Sequence, residues 1–279
     1  KKIVQYIMEN KIRIAHEAPM SIFDKVQKLT DYDYCLVHLM DELPEYKELF
    51  FKAKEQGREI ILDNSIFELG KSFNNKKYHH WVTELEPTWY IIPDVLEDCD
   101  RTIDKAKRWL SKYPDIKSKS IGVVQGKTYE EIVKCYKYMV EVAKVDKVAI
   151  SFDYSYYLNT YENLGENKYE RFTIGRACLI DQMIEDGVID YSVPIHLLGC
   201  GLPQEGAFYK EDPERYFFID SVDTSNPVVH GIKNVQYTKY GLKDKESQKL
   251  FTMINYQLNP QIWDLIEYNT KAFKNLWNA

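Results

Sequence analysis

Several things are scarce in this sequence, and each shortage excludes a class of protein. The five cysteines are scattered at 35, 99, 135, 178 and 200, with no C-x-x-C or C-x-C pair among them. Neither a disulfide framework nor a cysteine-rich zinc site is signalled, and a reducing, cytoplasmic setting is the default expectation. No apolar run approaches the ~18 residues that a membrane span needs, so no membrane partner is expected. The opening KKIVQYIMENKIRI carries Glu9 and Lys11 and lacks a signal-peptide core and cleavage site. A basic excess is missing too. The 37 Lys and Arg face 43 Asp and Glu, a net charge of −6, whereas a dedicated nucleic-acid binder is usually basic. Any such contact would need a local patch. Two stretches qualify, Lys105, Lys107, Arg108, Lys112, Lys117 and Lys119, and Lys233, Lys239, Lys243, Lys245 and Lys249. Taken alone, each reads as a solvated helix face. The dinucleotide fingerprint and the P-loop are absent, as are low-complexity linkers and fixed-period repeats.

What the sequence does have is eight short apolar runs rich in β-branched and aromatic residues: IVQYIM (3–8), YCLVHLM (34–40), EIILD (59–63), WYIIPD (89–94), IGVVQG (121–126), KVAISF (147–152), IHLLGCG (195–201) and YFFIDSVD (216–223). Nearly continuous apolar character, without alternation, marks strands buried on both faces. Helical spacing fills most of the gaps. YEEIVKCYKYMVEVAK (129–144) sets Ile132, Tyr136, Met139 and Val142 on one stripe, and 169–187 sets Phe172, Ile180 and Ile184 likewise before ending at Gly187, a natural C-cap. Eightfold strand–helix alternation in 279 residues predicts a single α/β domain, a (β/α)₈ TIM barrel. Its open doubly wound counterpart is the alternative, since periodicity cannot see closure. The tail from about 244 reads as a C-terminal extension of two helices broken at Pro260.

In a barrel, the C-terminal strand ends converge on one mouth. Those ends carry Asp63; Asp94 and Asp98; Gln125 and Gly126; Ser151 and Asp153; Gly199, Cys200 and Gly201; Asp220 and Asp223. An Asp after a strand is often only the cap of the next helix. That reading is strong for Asp98, moderate for Asp94, weaker for Asp63, and weakest for Asp220 and Asp223, which interrupt an apolar run where a carboxylate without a partner is costly. The glycines most often mean a tight turn. Two carboxylates at one pocket suit glycosidic-bond chemistry. A side-chain amide such as Gln125 donates and accepts at once, which suits a base edge. Phe67 could stack on a flat base or simply fill the core.

These residues resemble the tRNA-guanine transglycosylases and their DNA-modifying relatives, over most of the chain. Asp63-Asn64-Ser65-Ile66-Phe67-Glu68 is similar to the family's D-S-G-G-F/Y-Q, and Pro93-Asp94-Val95 through Asp98-Cys99 to a shortened D-I/V-x…D-E-C. Gly122-Val123-Val124-Gln125-Gly126 is similar to G-I/V-V/Q-Q-G, and His196-Leu197-Leu198-Gly199-Cys200-Gly201 with Pro203 to Y-L-M-G-V-G-x-P. Ile219-Asp220-Ser221-Val222-Asp223 with Pro227 is similar to I-D-x-F-D-C-V-x-P. The resemblance implies Asp223 as nucleophile and Asp63 as general acid/base. It implies a base-binding set of Asp98 or Asp94, Gln125 and Gly126, Leu198 and Gly199, and Ser151, with Phe67 and Leu198 sandwiching the base.

The departures shape the rest. The family's tRNA enzymes carry C-x-C-x-x-C and a later His, yet no cysteine follows Cys200, so no zinc and no other cofactor are expected. The arginine-bearing P-T-R-S-G-R stretch reads Pro227-Val228-Val229-His230-Gly231, and Ser151-Phe152 replaces paired glycines. The tRNA-anchoring parts look lost, which tilts the expectation toward the phage-encoded relatives that place a 7-deazaguanine derivative in DNA. The expected partners are then DNA, a free 7-deazaguanine base and an accessory protein that opens the duplex, with Arg171, Arg176 and Lys233 among the nucleic-acid contacts. Exchange on tRNA, base release by an N-glycosidase, a non-catalytic partner subunit and a magnesium-dependent barrel are the competing readings.

Overall fold

A computed structural model describes residues 11–246, 250–253 and 256–278. Eight parallel strands make one sheet: β1 (Arg13–His16), β2 (Asp33–Leu36), β3 (Ile60–Asp63), β4 (Trp89–Ile91), β5 (Lys119–Val123), β6 (Lys147–Ser151), β7 (Ile195–Leu198) and β8 (Ile219–Thr224). The order runs β1-β8-β7-β6-β5-β4-β3-β2. The two ends of that order meet at a seam, where Asp31 N–H donates to the Ile14 carbonyl at 2.9 Å and Ile14 N–H to Asp31 Oδ2 at 2.8 Å. With helices alternating outside, this is a (β/α)₈ TIM barrel with C-terminal helices. The strands are short and almost wholly buried, as the unbroken apolar runs require.

The described residues refine the sequence reading in several places. The run 3–8 lies outside the described residues, and so does Lys249; the first strand described is RIAH at 13–16. The run 34–40 is half strand and half helix, for Val37–Glu42 turns helical directly after β2. In the tail, a 3₁₀ helix at Leu250–Met253 lies before Pro260 and an α-helix follows from it. Among the described residues beyond 246, the α-helix is Pro260–Trp277, and Pro260 stands at its start with Asn259 Oδ1 accepting from Gln261 N–H at 2.8 Å. A proline fits there because the first turn has no use for its missing N–H. The stripe at 129–144 also loses a member. Ile132, Tyr136 and Met139 are buried, but Val142 is 65% exposed. A π-turn over Tyr138–Val142, closed by Ala143 N–H on the Tyr138 carbonyl at 2.8 Å, inserts a residue and rotates Val142 outward.

The floor of the barrel is polar. Lys147, fully buried, pairs with Asp220 at 2.5 Å and lies 3.9 Å from the centroid of the Trp89 ring; Arg13 pairs with the same carboxylate at 2.6 Å. Burial would raise the Asp220 carboxyl, and the two cations outweigh it and hold it below its ordinary value. Asp220 thus sits at the N-terminal end of β8, away from the mouth. Its place in an apolar run is explained by a floor ion pair, which corrects the expectation that it joins Asp223.

Candidate active site

The strand ends frame a cavity of about 660 Å³ that reaches Asp63, Asp94, Gln125, Ser151, Leu198, Gly199, Asp223 and Phe67. Asp63 closes β3. Its Oδ2 accepts from the Tyr34 hydroxyl and its Oδ1 from Ser65 N–H at 2.7 Å. Ser65 adopts φ 63° to make that turn. Burial raises the Asp63 carboxyl to about 7; the hydrogen bonds from Tyr34 and Ser65 oppose this, while Asp223 and Asp94 add to it. A carboxyl balanced near neutrality can both give and take a proton.

Asp223, 5% exposed near the end of β8, is held differently. Its Oδ1 accepts from His196 Nε2 at 2.8 Å and from Gly199 N–H at 3.2 Å. His196 lies within 2.7 Å of Ser221 Oγ through Nδ1. Burial lowers the His196 pKa more than Asp223 raises it, so the ring is neutral. A carboxylate only accepts, so the proton belongs on Nε2 and Ser221 donates to Nδ1. Tyr34 stacks on His196 at 6.0 Å between centroids and 15° between planes. One tyrosine therefore touches both carboxylate arms, Asp63 through its hydroxyl and Asp223 through the imidazole.

The third part of the wall is an amide–carboxylate chain. Asn64 Nδ2 donates to Asp94 Oδ1 at 2.7 Å, Gln125 Nε2 to Asp94 Oδ2 at 2.8 Å, and Glu97 N–H to Gln125 Oε1 at 2.8 Å. The Glu97 N–H fixes which way the Gln125 amide points. Burial raises the Asp94 carboxyl above its ordinary value against the pull of Gln125 and Asn64.

Of Asp94 and Asp98, Asp94 lines the cavity and Asp98 does not. Asp98 caps the helix Cys99–Lys112, accepting from Arg101 N–H at 3.0 Å, and stays out of the cavity. Gly126 is also outside it. A Cβ there would lie 2.8 Å from Glu131 Cβ, so the glycine serves the approach of helix Tyr129–Lys137. Ser151 lines the wall and donates to Asp153 at 2.8 Å. Phe67 is half exposed at the rim, and its ring centroid is 5.9 Å from that of Phe152. Of the three named nucleic-acid contacts, Arg176 is excluded. It is fully buried, paired with both oxygens of Glu205 at 2.8 Å and donating to the carbonyls of Ile150, Leu198 and Gly199. Lys233 pairs with Glu246 at 3.4 Å, and Arg171 is half-buried outside the cavity wall.

Gly199 has a reason beyond the turn. At φ 67° it occupies the left-handed region, and a Cβ would lie 2.4 Å from Phe152 Cδ1. Gly199→Ala is expected to destabilise the chain by about 1–3 kcal/mol and to displace the N–H that holds Asp223. Urea denaturation checks the first part, and an unchanged midpoint would refute it.

Sequence reasoning missed Glu17, Tyr34 and His196, which line the cavity or brace it, and read Lys245, another lining residue, only as part of a basic stretch. Burial raises Glu17 well above its ordinary value, with Asp223, Glu68 and Asp63 adding to it. Among the described residues no group of three or more His, Cys, Asp or Glu is arranged to hold a metal ion, and no helix is long and apolar enough to cross a membrane. Comparison with protein-family models and with curated proteins finds no match. The class these features define is a TIM barrel with a carboxylate-lined cavity at the C-terminal ends of its strands.

Proposed function

We propose that the chain is a base-exchange transglycosylase that replaces guanine in DNA by a 7-deazaguanine derivative such as 7-cyano-7-deazaguanine. The observation that carries this reading is the pair of differently held carboxylates at one cavity. Asp223 is clamped by a neutral imidazole and a backbone N–H, and Asp63 is raised to about 7. Both clamps fall on Asp223 Oδ1, which leaves Oδ2 to attack C1′ of a guanosine extruded from the helix or lying in a single strand. The C1′–N9 bond breaks, guanine leaves with the electron pair, and Asp63 supplies the proton. A glycosyl ester on Asp223 remains. The incoming base gives its N9 proton to Asp63, its nitrogen attacks C1′, and the ester oxygen leaves as the Asp223 carboxylate. Protons and charge balance over the cycle without ATP or a redox cofactor. Asp94 and Gln125 present an acceptor and a donor to the guanine-like edge, and a base with the wrong pattern leaves them unpaired.

A pH dependence follows. Guanine departure needs Asp63 protonated and falls as pH rises above about 7; entry of the new base needs it ionised and falls as pH drops below that value. Steady-state exchange is expected to be bell-shaped with its maximum near pH 7. Stability carries the opposite check. The folded carboxyl holds its proton more tightly than the unfolded one, so Asp63 makes stability fall as pH rises from its ordinary value of 3.8 to about 7. Asp63→Asn should flatten that fall in urea titrations at pH 5 and pH 8, and an undiminished slope would contradict the assignment.

The function itself is tested by incubating the protein with 7-cyano-7-deazaguanine and, separately, DNA or tRNA, then digesting the polymers for mass spectrometry. The modified nucleoside in DNA alone is the expected result. Its appearance in tRNA alone would keep the chemistry and overturn the DNA reading. Guanine release without added base would replace exchange by N-glycosidase action.

A further inference from the structure

The cavity that holds Asp63 and Asp223 is hostile to a polyanion. Eight Asp and Glu side chains line it against two lysines, Lys168 and Lys245. A strand whose nucleoside enters there must keep its phosphates outside, on a surface of opposite charge that reaches the rim.

A surface of that kind adjoins the cavity. A groove of about 590 Å³ runs between Gly70–Ser72 and the helix Cys99–Lys112, and it shares Ile66 and Leu96 with the cavity wall. It carries Lys71, Arg101, Lys105 and Arg108 against one carboxylate, Asp104, which Arg108 occupies at 2.8 Å. Arg101, Lys105 and Arg108 stand four and three residues apart, so they form one stripe of the helix. Lys105 donates to Ser72 Oγ across the groove and also acts on the buried Asp94 carboxylate, which places it where groove and cavity meet. Gly70, at φ 68°, has open space where a Cβ would be. In sequence this stripe is indistinguishable from a solvated helix face; the fold turns it toward the mouth.

We infer that this groove holds the phosphodiester backbone of the strand flanking the target nucleoside, with Lys71, Arg101 and Lys105 as its phosphate contacts. The inference rests on the reading of the cavity as a site that acts on nucleic acid. Such contacts fix the position of a strand and read no sequence. They displace counterions, so their number appears in the salt dependence of binding.

The test is fluorescence anisotropy of a labelled single-stranded oligodeoxynucleotide and its RNA counterpart, titrated over a range of salt. The groove variant carries Lys71→Gln, Arg101→Gln and Lys105→Gln. Lys71 and Arg101 are exposed and Lys105 half-buried, so the core is untouched. The control carries Lys28→Gln, Lys117→Gln and Lys119→Gln, exposed residues at the opposite end of the barrel with the same change in net charge. The groove variant is expected to bind at least ~10-fold more weakly, and its log–log salt slope should fall by about 2, from ~0.7 per phosphate contact on a single strand. The control should keep the wild-type slope. A groove variant that behaves like the control overturns the groove while leaving the proposed function standing. A loss confined to one polymer overturns the assignment to phosphates. A wild-type chain that binds neither polymer overturns the groove and the function together.

Discussion

Replacing Asp223 by Asn is expected to lower guanine exchange by about four orders of magnitude and to leave the fold intact. Asn keeps an oxygen where Oδ1 accepts from His196 and Gly199, so the local hydrogen bonds survive. What is lost is the anionic oxygen that forms the ester, and a neutral amide is too weak a nucleophile to replace it. Exchange measured by mass spectrometry of digested DNA reads the loss, and an unchanged thermal midpoint shows that the fold is retained. Asn at 223 with wild-type exchange would move the nucleophile elsewhere. His196→Phe offers a graded companion: it removes the Nε2 donor while keeping a ring for Tyr34 to stack on, so exchange should fall well short of the Asp223→Asn loss.

The largest stability effect belongs to Arg176. Arg176→Met is expected to destabilise the chain by about 3–5 kcal/mol, because it leaves Glu205 buried without its cation. Glu205 would keep only the Tyr209 hydroxyl at 2.6 Å, and the carbonyls of Ile150, Leu198 and Gly199 would each lose the guanidinium as a donor. Lysine should not rescue it, since a single ammonium cannot span both carboxylate oxygens and three carbonyls. The double variant Arg176→Met with Glu205→Leu should recover much of the loss, as buried ion pairs often exchange for apolar pairs at little net cost. Urea denaturation of the set measures these differences. A single Arg176→Met variant as stable as the wild type would contradict the account, and a change confined to the salt dependence of DNA binding would restore Arg176 to the surface.

The barrel was legible because seven of its strands are buried on both faces and read as apolar runs. The first described strand escaped because RIAH places Arg13 in the floor ion pair and His16 in the core, so it carries no apolar signature. With it went Glu17, one residue past its end. Asp63, Asp94, Gln125 and Asp223 were legible as polar residues at strand ends. Tyr34 and His196 were not, since an aromatic inside a strand reads as core until the strand across the barrel is placed. Asp98 and Asp220 show the converse. Each is an Asp at the edge of a strand run, and only the neighbours decide that one caps a helix and the other neutralises Lys147. Val142 fell outside its stripe because a π-turn is invisible to a 3.6-residue period.

The most direct measurement is to trap the ester. The protein would be mixed with a guanosine-containing single-stranded DNA in the absence of any incoming base, quenched in acid, and resolved by denaturing electrophoresis and intact-protein mass spectrometry. A covalent protein–DNA species that maps to the peptide holding Asp223, vanishes on adding 7-cyano-7-deazaguanine and never forms with Asp223→Asn is the predicted result. Exchange that proceeds in the same mixture with no such species, or with the adduct on a different residue, would contradict it.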